Sequence, residues 1–276
     1  MSFQVKFWGV RGSIACPSRY HTQYGGNTSC VEIIIDDSRR FILDAGTGIR
    51  YLGQNFLRND IREAHLLLTH THWDHINGFP FFVPAYDPKR SIHIMAGHLR
   101  TRKGGIHDAL AAQMDTPMFP VPLSAMKAKL RFDDFEAGDE FLLYYDVNVR
   151  TALLNHPNDA TGYRIDYDGK SLCYITDTEH VPGELDQNIL GLIEGADLVI
   201  YDSTYTEEEY PKHVGWGHST WNEGVKLCRA ASVGKMAIFH HEPDHDDKFM
   251  ARLEKEAKEC WDGTFAAMDG MVVNLD

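Results

Sequence analysis

The sequence lacks the features that mark membrane, secreted and disulfide-rich proteins. Its five cysteines are odd in number and widely spaced, and no Cys-x-x-Cys pair occurs, so we expect free thiols in a reducing compartment. No apolar run approaches the ~20 residues that a membrane-spanning helix needs. Residues 1–8 alternate like a strand and do not resemble a signal peptide. These absences predict a cytoplasmic protein with no membrane partner.

Basic residues are also scarce relative to acidic ones. The chain has 27 Lys and Arg against 40 Asp and Glu, a formal net charge of −13. So acidic a protein gains nothing from counterion release on DNA or long RNA, and we therefore expect no long nucleic acid as a partner. Hydrophobic residues make up 43% and charged residues 24% of the chain, which is typical of a globular protein and excludes disordered or collagen-like chains.

Short apolar runs predict strands, and most are followed by Gly, Asp, Asn or His. They lie at 31–35, 41–43, 66–68, 92–95, 141–145, 172–175, 198–201 and 237–239. Two helices are predicted later in the chain, over 219–232, with Ser219 or Thr220 as the N-cap, and over 246–261. Because neither a repeat nor a flexible linker divides the chain, we expect a single domain over 1–276.

The segment 100–129 is the least regular part of the sequence. Gly104 and Gly105 stand near its start, and Pro117, Pro120 and Pro122 follow within six residues, which prevents regular structure there. The segment is interpreted either as a lid that carries aromatic contacts for a substrate or as an inert surface excursion.

The strongest chemical signal is the segment 69–75, THTHWDH, directly after the apolar run 66–68. In an extended chain leaving a strand, residues two apart point the same way, so His70 and His72 can bind one ion. Asp74 and His75 lie beyond the bend and can face a second ion. The alternative is a solvated histidine-rich turn, but the residue types and their spacing suit borderline metals.

A two-metal site needs more ligands than this segment contains, and they should lie at the ends of strands. His156 follows the strand-like segment 147–154, Asp177 follows the run 172–175, and His240 follows the run 237–239. Each of these, taken alone, is also an ordinary turn residue. Together they follow one rule, which favours a shared site.

The arrangement His-x-His-x-Asp-His at 70–75 resembles the hallmark of the metallo-β-lactamase superfamily. The resemblance implies an α/β fold, a four-layer αββα sandwich with two mixed β-sheets and a dinuclear metal site at one edge. It implies that one ion is held by His70, His72 and His156, that the other is held by Asp74, His75 and His240, and that Asp177 bridges them. His241 stays open as an alternative to His240.

Further segments resemble the phosphodiesterase branch that includes RNase Z and the phosphodiesterase of the carbon-phosphorus lyase pathway. They are 7–13 (FWGVRGS), 25–29 (GGNTS), 43–48 (LDAGTG), 202–205 (DSTY) and 217–220 (GHST). The resemblance implies that His218 contacts the phosphate and protonates the leaving oxygen, a role that suits an imidazole. Asp202 could orient this imidazole, and Asp44 could accept an N–H from a ligand histidine. For both carboxylates, turn formation is the alternative.

The predicted function is a phosphodiesterase for small phosphodiesters such as cyclic nucleotides, in which a hydroxide between two divalent ions attacks phosphorus and His218 acts as the general acid. His156 and Asp177 are 21 positions apart, which leaves no room for the tRNA-clamping arm of RNase Z. Zinc is favoured, and manganese or iron is compatible with the ligands. A homodimer is expected. The alternatives are hydrolysis of a lactone, thioester or other carboxylic ester, and a non-enzymatic metal-binding sensor.

Overall fold

The structure is a computed structural model that describes residues 2–36, 38–99 and 102–275. Its strands are β1 (Phe3–Gly9), β2 (Cys30–Ile35), β3 (Arg39–Leu43), β4 (Glu63–Leu68), β5 (Ser91–Ala96), β6 (Lys129–Asp134), β7 (Glu140–Leu143), β8 (Val147–Leu154), β9 (Ala160–Tyr167), β10 (Lys170–Ile175), β11 (Leu198–Asp202), β12 (Lys235–Phe239), β13 (Thr264–Ala266) and β14 (Val272–Asn274). Its α-helices are α1 (Ile49–Arg58), α2 (Trp73–Ile76), α3 (Gly105–Gln113), α4 (Gln187–Ile193), α5 (Trp221–Ala230) and α6 (Asp247–Cys260).

The strands form two mixed sheets of seven strands each. The first has the order β14-β1-β2-β3-β4-β5-β6, and the second has the order β13-β12-β11-β10-β9-β8-β7. β3 to β6 run parallel in the first sheet, as do β10 to β13 in the second. Parallel neighbours place the carboxyl ends of their strands at one edge, where loops can converge on a common site.

The inner faces of the two sheets pack against each other and form the central core. Phe7 of the first sheet meets Phe239 of the second with ring centroids 6.1 Å apart, and Tyr174 packs on Phe239 at 5.5 Å. The outer face of the first sheet is covered by α1, α3 and short 3-10 turns, and that of the second by α4, α5 and α6. The predicted four-layer αββα sandwich is therefore confirmed.

Every predicted strand run falls on an observed strand, with one overrun. The run 141–145 passes the end of β7 because Tyr144 and Tyr145 adopt positive φ, 54° and 68°, in the turn to β8. Thr220 is the N-cap of α5, where its hydroxyl accepts from the amide of Glu223, and Asp246 caps α6. Both predicted helices are confirmed.

The irregular segment 100–129 differs in part from its prediction. Residues 100 and 101 lie outside the described residues, and α3 occupies 105–113, where no helix was predicted. The proline-rich stretch after it contains turns and bends, as its three prolines demand. Among the described residues, no helix has both the length and the apolar composition needed to cross a membrane.

Candidate metal centre and active site

The candidate site lies where strands from both sheets end. His70 follows β4, His156 follows β8, Asp177 follows β10 and His240 follows β12, so the rule drawn from the sequence describes their positions correctly. His72 is the residue before α2, and Asp74 and His75 lie in its single turn. The predicted residues therefore converge from four strand ends and one short helix.

Sharp turns at the strand ends aim the side chains into the site. Asp44, Asp177 and His240 adopt left-handed backbone conformations with φ of 61°, 60° and 60°. This region is costly for residues with a side chain, and it persists where surrounding contacts hold the residue in place. Each of these side chains is buried and accepts or donates hydrogen bonds inside the site.

One group of histidines brings its ring nitrogens together. His72 Nδ1 lies 3.1 Å from His156 Nε2, and the ring of His70 is centred 4.4 Å from that of His72 and 4.8 Å from that of His156. The ligand atoms of His70, His72 and His156 all lie within 4.8 Å of one another. The structure therefore groups the three residues that the resemblance assigned to one ion.

A second group forms an almost equilateral triangle of ligand atoms. His75 Nε2 lies 3.3 Å from Asp74 Oδ2 and 3.3 Å from His240 Nε2, which itself lies 3.3 Å from Asp74 Oδ2. Ligands at ~2.0–2.1 Å from a tetrahedral zinc ion are separated by about 3.3–3.4 Å. The triangle has the dimensions of one face of such a coordination shell.

Asp177 lies between the two groups. Its Oδ1 is 3.7 Å from His70 Nε2 and 3.8 Å from His156 Nε2, whereas its Oδ2 is 3.1 Å from His75 Nε2 and 3.5 Å from His240 Nε2. One carboxylate oxygen thus faces each group. This is the arrangement that a bridging ligand requires.

The chemistry of the cluster fits metal ions better than hydrogen bonding alone. His70 Nε2 is buried without a hydrogen-bond partner, which is costly unless another ligand satisfies it. Burial lowers the pKa of His70, His72 and His156, so their imidazoles are neutral and present lone pairs. Imidazole nitrogens with carboxylate oxygens are a donor set that divalent metals bind.

Two buried carboxylates set the orientation of four histidines. Asp44 Oδ2 accepts from His75 Nδ1 at 2.8 Å, and its oxygens lie 3.0 Å from the hydroxyl of Thr69, which is 3.0 Å from His70 Nδ1. In the tautomer that completes this chain, His70 Nδ1 donates to Thr69, and Thr69 donates to Asp44. Nε2 of both histidines is then left unprotonated for a metal.

Asp202 repeats this pattern on the other side of the site. His218 Nδ1 donates to Asp202 Oδ2 at 2.9 Å, and the hydroxyl of Thr204 donates to Asp202 Oδ1 at 2.8 Å. His240 Nδ1 lies 2.9 Å from the same hydroxyl and, in the tautomer that leaves Nε2 unprotonated for a metal, donates to it. Asp202 therefore orients His218 directly, as predicted, and also orients His240 through Thr204, which was not predicted.

His218 lies beside the metal-ligand groups. Its ring is centred 4.8 Å from that of His240 and 5.5 Å from that of His156. Burial alone would lower the pKa of His218, but the carboxylates of Asp202, Asp177 and Asp74 outweigh this and raise it to about 9. With Nδ1 bound to Asp202, Nε2 is the atom that can contact another molecule.

The alternative ligand His241 points elsewhere. Its Nε2 donates to the carbonyl oxygen of Ala267 at 2.9 Å, and its ring meets Tyr24 edge-on at 6.3 Å. Burial is the main cause that lowers the pKa of His241, to about 3. The structure thus brings His240, and not His241, to the candidate metal centre.

A cavity of about 640 Å³ adjoins the 69–75 segment. Trp73 and Phe81 line one side, and Met118 and Phe119 of the segment 100–129 line the other. Phe81 and Phe119 meet edge-on at 5.7 Å, and Trp73 is 78% exposed. The described part of the segment therefore lies beside the residue that follows His72, and its role as a lid stays a prediction.

Sequence reasoning missed the threonines that connect the carboxylates to the ligands. Thr69 immediately precedes His70, and Thr204 lies two residues after Asp202. The closeness of both threonines in sequence to predicted site residues is a signal that they belong to the site. Which side chains they contact is shown only by the fold. The amide of Ser13, which donates to Asp74 Oδ2 at 2.8 Å, was also missed as a contact, although its segment was singled out.

Comparison with protein families decides the classification. The family model described as beta-lactamase superfamily domain matches residues 39–241, which contain the whole candidate ligand set. The chain belongs to the beta-lactamase superfamily. The predicted fold class and the predicted class of metal-dependent hydrolase are thereby confirmed.

Similar proteins are found among both curated proteins and solved structures. Ribonuclease Z of Haloarcula marismortui is 24% identical over 98% of this chain and 96% of that protein. The metallo-beta-lactamase fold protein YhfI from Bacillus subtilis has a TM-score of 0.75 at 16% identity and covers 99% of both chains. A structure described as a new diphosphatase from the PhnP family has a TM-score of 0.72 at 17% identity, covering 99% of this chain and 98% of that one.

Proposed function

We propose that this superfamily member is a phosphodiesterase that hydrolyses small phosphodiesters such as cyclic nucleotides. The observation that carries the proposal is the position of His218, a histidine outside the two ligand groups, held by Asp202 at 2.9 Å and centred 4.8 Å from His240. Hydrolysis of an alkyl phosphodiester needs a proton donor for a poor leaving group, and His218 is suited to that role.

The proposed ligands of one ion are His70, His72 and His156, those of the other are Asp74, His75 and His240, and Asp177 serves both. Divalent ions at these positions would stabilise negative charge on the phosphoryl oxygens and lower the pKa of a bound water. We propose zinc because five of the seven ligands are imidazoles, with manganese or iron as the alternatives. Metal analysis of freshly purified protein tests this assignment.

The chain's own residues perform the proton transfer. Asp202 accepts a hydrogen bond from the Nδ1–H of His218, and this keeps the Nδ1 proton on the ring. In the protonated imidazole, the proton on Nε2 is then the one that is donated to the departing oxygen. Asp202 also accepts from the amides of Thr178 and Thr204, at 3.2 and 3.1 Å, which hold the carboxylate in place. The donor is therefore positioned before a substrate binds, and little reorganisation is needed.

The substrate is proposed to be small for three reasons. The alignment with the Haloarcula protein runs over 332 positions, more than the 276 residues here, so that relative carries residues without a counterpart in this chain. His156 and Asp177 are joined by β9 and β10 with short connections, which leave no inserted arm to hold a long RNA. The net charge of −13 also opposes a long polyanion.

The test is His218→Ala, assayed on a substrate with a poor leaving group and on one with an activated leaving group. We expect turnover of a cyclic nucleotide to fall by about 10²–10⁴-fold, the usual contribution of a general acid, with metal content unchanged. Turnover of bis(p-nitrophenyl) phosphate should fall far less, because p-nitrophenolate leaves without a proton. The exposed His107, substituted by alanine, is the control. Equal losses on both substrates would refute the general-acid role.

A substrate panel separates this proposal from its rivals. Wild-type protein with its metals bound is assayed on cyclic mononucleotides, bis(p-nitrophenyl) phosphate, a lactone, a thioester and a tRNA precursor. Preference for the lactone or thioester would favour the carboxylic-ester hydrolase, because the same centre can attack carbonyl carbon. Preference for the tRNA precursor would favour the activity named for the Haloarcula relative. No hydrolysis of any substrate would favour the sensor.

We also propose a cytoplasmic homodimer. The proposal of a dimer is supported by large apolar side chains that are exposed near the site, among them Met118 at 69% and Trp216 at 62%. Light scattering after size-exclusion chromatography tests the dimer, and cell fractionation tests the location. A monomer across the micromolar range would refute the dimer.

A further inference from the structure

Glu179 lies two residues after the proposed bridging ligand Asp177, and its carboxylate binds the loop that precedes His218. The amide of Gly215 donates to both of its oxygens, at 2.7 and 2.9 Å, and the amide of Gly217 donates to Oε2 at 2.7 Å. Hydrogen bonds from backbone amides to a carboxylate are short and strong. Glu179 therefore fixes both ends of the three-residue stretch that leads to His218.

Gly217 connects Glu179 to His156 and directly precedes His218. Its amide donates to Glu179, and its carbonyl oxygen accepts from His156 Nδ1 at 2.8 Å. Its φ is +86°, and a Cβ atom would lie only 2.2 Å from His156 Nδ1, so no side chain fits there. The same peptide segment thus orients His156 and sets the start of His218.

The backbone of Glu179 binds the segment on the other side of His156. Its amide donates to the carbonyl oxygen of Asn155 at 2.8 Å, and Asn155 Nδ2 donates to its carbonyl oxygen at 2.8 Å. One residue thereby connects the segments that carry Asp177, His156 and His218. Both of these hydrogen bonds use the backbone of Glu179 and are kept when its side chain is substituted. The role of the carboxylate can therefore be tested separately.

We propose that Glu179 is a positioning residue, which holds His156 in the orientation for metal binding and His218 in the orientation for proton donation. The part concerning His218 rests on the proposed function, whereas the part concerning His156 rests on the contacts alone. Among the described residues, the partners of the Glu179 carboxylate are Gly215, Gly217 and Tyr210 and not the ligand atoms, so Glu179 acts through Gly217, which binds His156. Residues in this outer position typically change metal affinity or activity by about 10–100-fold when they are substituted.

The experiment is a double-mutant cycle between Glu179→Ala and His218→Ala on a cyclic nucleotide. If Glu179 acts through His218, Glu179→Ala lowers turnover by about 10–100-fold in the wild type but by less than about threefold in the His218→Ala protein. Loss on bis(p-nitrophenyl) phosphate should be much smaller. The assays use saturating metal, so that an effect of Glu179 on metal binding through His156 does not contribute, and an equal loss in both backgrounds would then refute the role of Glu179 in positioning His218. Glu179→Gln keeps the side-chain volume and serves if the alanine variant is unstable.

Two readouts do not depend on turnover. Hydrogen exchange of the Gly215 and Gly217 amides should accelerate by about tenfold or more in Glu179→Ala, because each loses its acceptor. Affinity for the metal ion that we propose is held by His70, His72 and His156 should fall by about 10–100-fold as His156 loses its orientation. Unchanged exchange and unchanged affinity would overturn the proposal. If the wild type hydrolyses no phosphodiester, the proposed function fails, and these readouts still decide the role of Glu179.

Glu209→Ala is the matched control. Its carboxylate also accepts from a backbone amide, that of Thr206 at 2.8 Å, and from His245 Nε2 at 2.9 Å. Glu209 lies in the connection between β11 and α5, as residues 215–217 do, but its carboxylate is bound to Thr206 and His245 and not to the amides of Gly215 and Gly217. We expect its loss to affect stability while leaving the leaving-group dependence and the exchange at Gly217 unchanged. A control variant with the same pattern as Glu179→Ala would overturn the assignment.

Discussion

Asp44→Asn should weaken the binding of both proposed metal ions, because Asp44 orients one histidine of each ligand group, His70 and His75. The carboxylate is fully buried, accepts from the amide of Thr69 at 2.8 Å, from His75 Nδ1 at 2.8 Å and from the hydroxyl of Tyr174 at 3.0 Å. It also receives the Thr69 hydroxyl that is bound to His70 Nδ1. Every acceptor site of the carboxylate is thus in use.

An asparagine cannot satisfy these donors in either orientation. If its NH₂ group replaces Oδ2, two donors face each other, because His75 Nδ1 also carries a proton. The clash is removed only if this proton moves to Nε2 of His75, which is the atom that would bind a metal. If it replaces Oδ1, it faces the amide of Thr69. A hydrogen bond to a charged group contributes about 1.5–3 kcal/mol. This corresponds to a loss of about 10–100-fold in metal affinity, the same range that is typical for such outer residues.

The assay is competition for zinc with a chromophoric chelator, on protein whose fold is checked by circular dichroism. Tyr174→Phe is the control, because it removes one donor to the same oxygen and leaves the carboxylate and the His75 tautomer intact. We expect Tyr174→Phe to change affinity by less than about threefold, since a neutral hydrogen bond contributes only about 1 kcal/mol. Folded Asp44→Asn that binds both ions as tightly as the wild type would refute the reasoning.

Three further variants test the site and the pH dependence. His240→Ala should lose one metal ion, whereas His241→Ala should keep both and lower the melting temperature, because His241 donates to Ala267 and not to the site; atomic absorption decides, and metal loss in His241→Ala alone would contradict the geometry. His65 is neutral when folded because burial, ahead of His93 and Arg131, lowers its pKa to about 4. The stability it contributes is fully present above its unfolded pKa of about 6.5 and is lost as the pH falls toward 4. When the pH falls from 7 to 4, the free energy of unfolding, measured by urea titration, should therefore decrease by up to about 3 kcal/mol less in His65→Phe than in the wild type. Equal decreases in the two proteins would exclude His65 as the cause.

The convergence of the candidate ligands was predictable because two simple geometric rules act on their positions. The alternation of an extended chain pairs His70 with His72, and the common edge of parallel strands brings Asp177 and His240 together. Neither rule depends on detailed packing. Both can be applied to the sequence before any contact is known, and the resemblance then assigns each residue to an ion.

The contacts around the ligands were not predictable, because they join residues that are distant in sequence. His156 and Gly217 are 61 positions apart, and Tyr174 and Asp44 are 130 apart. By contrast, two missed helices carried a readable signal. α1 buries Ile49, Leu52 and Phe56 on one stripe, and the N-cap of α4 is Asp186, whose carboxylate accepts from two amides of the first turn.

The net charge and the proposed chemistry make opposite demands on a phosphate. At −13 the protein as a whole repels anions, and a long RNA would experience that repulsion over its full length. If the proposed ligands hold two divalent ions, imidazoles bind them in the neutral form, and the carboxylates of Asp74 and Asp177 offset only part of the metal charge, which would leave a local excess of positive charge. A phosphodiester with a single negative charge experiences mainly this excess. The same arithmetic that opposes a long polyanion therefore favours a small phosphodiester.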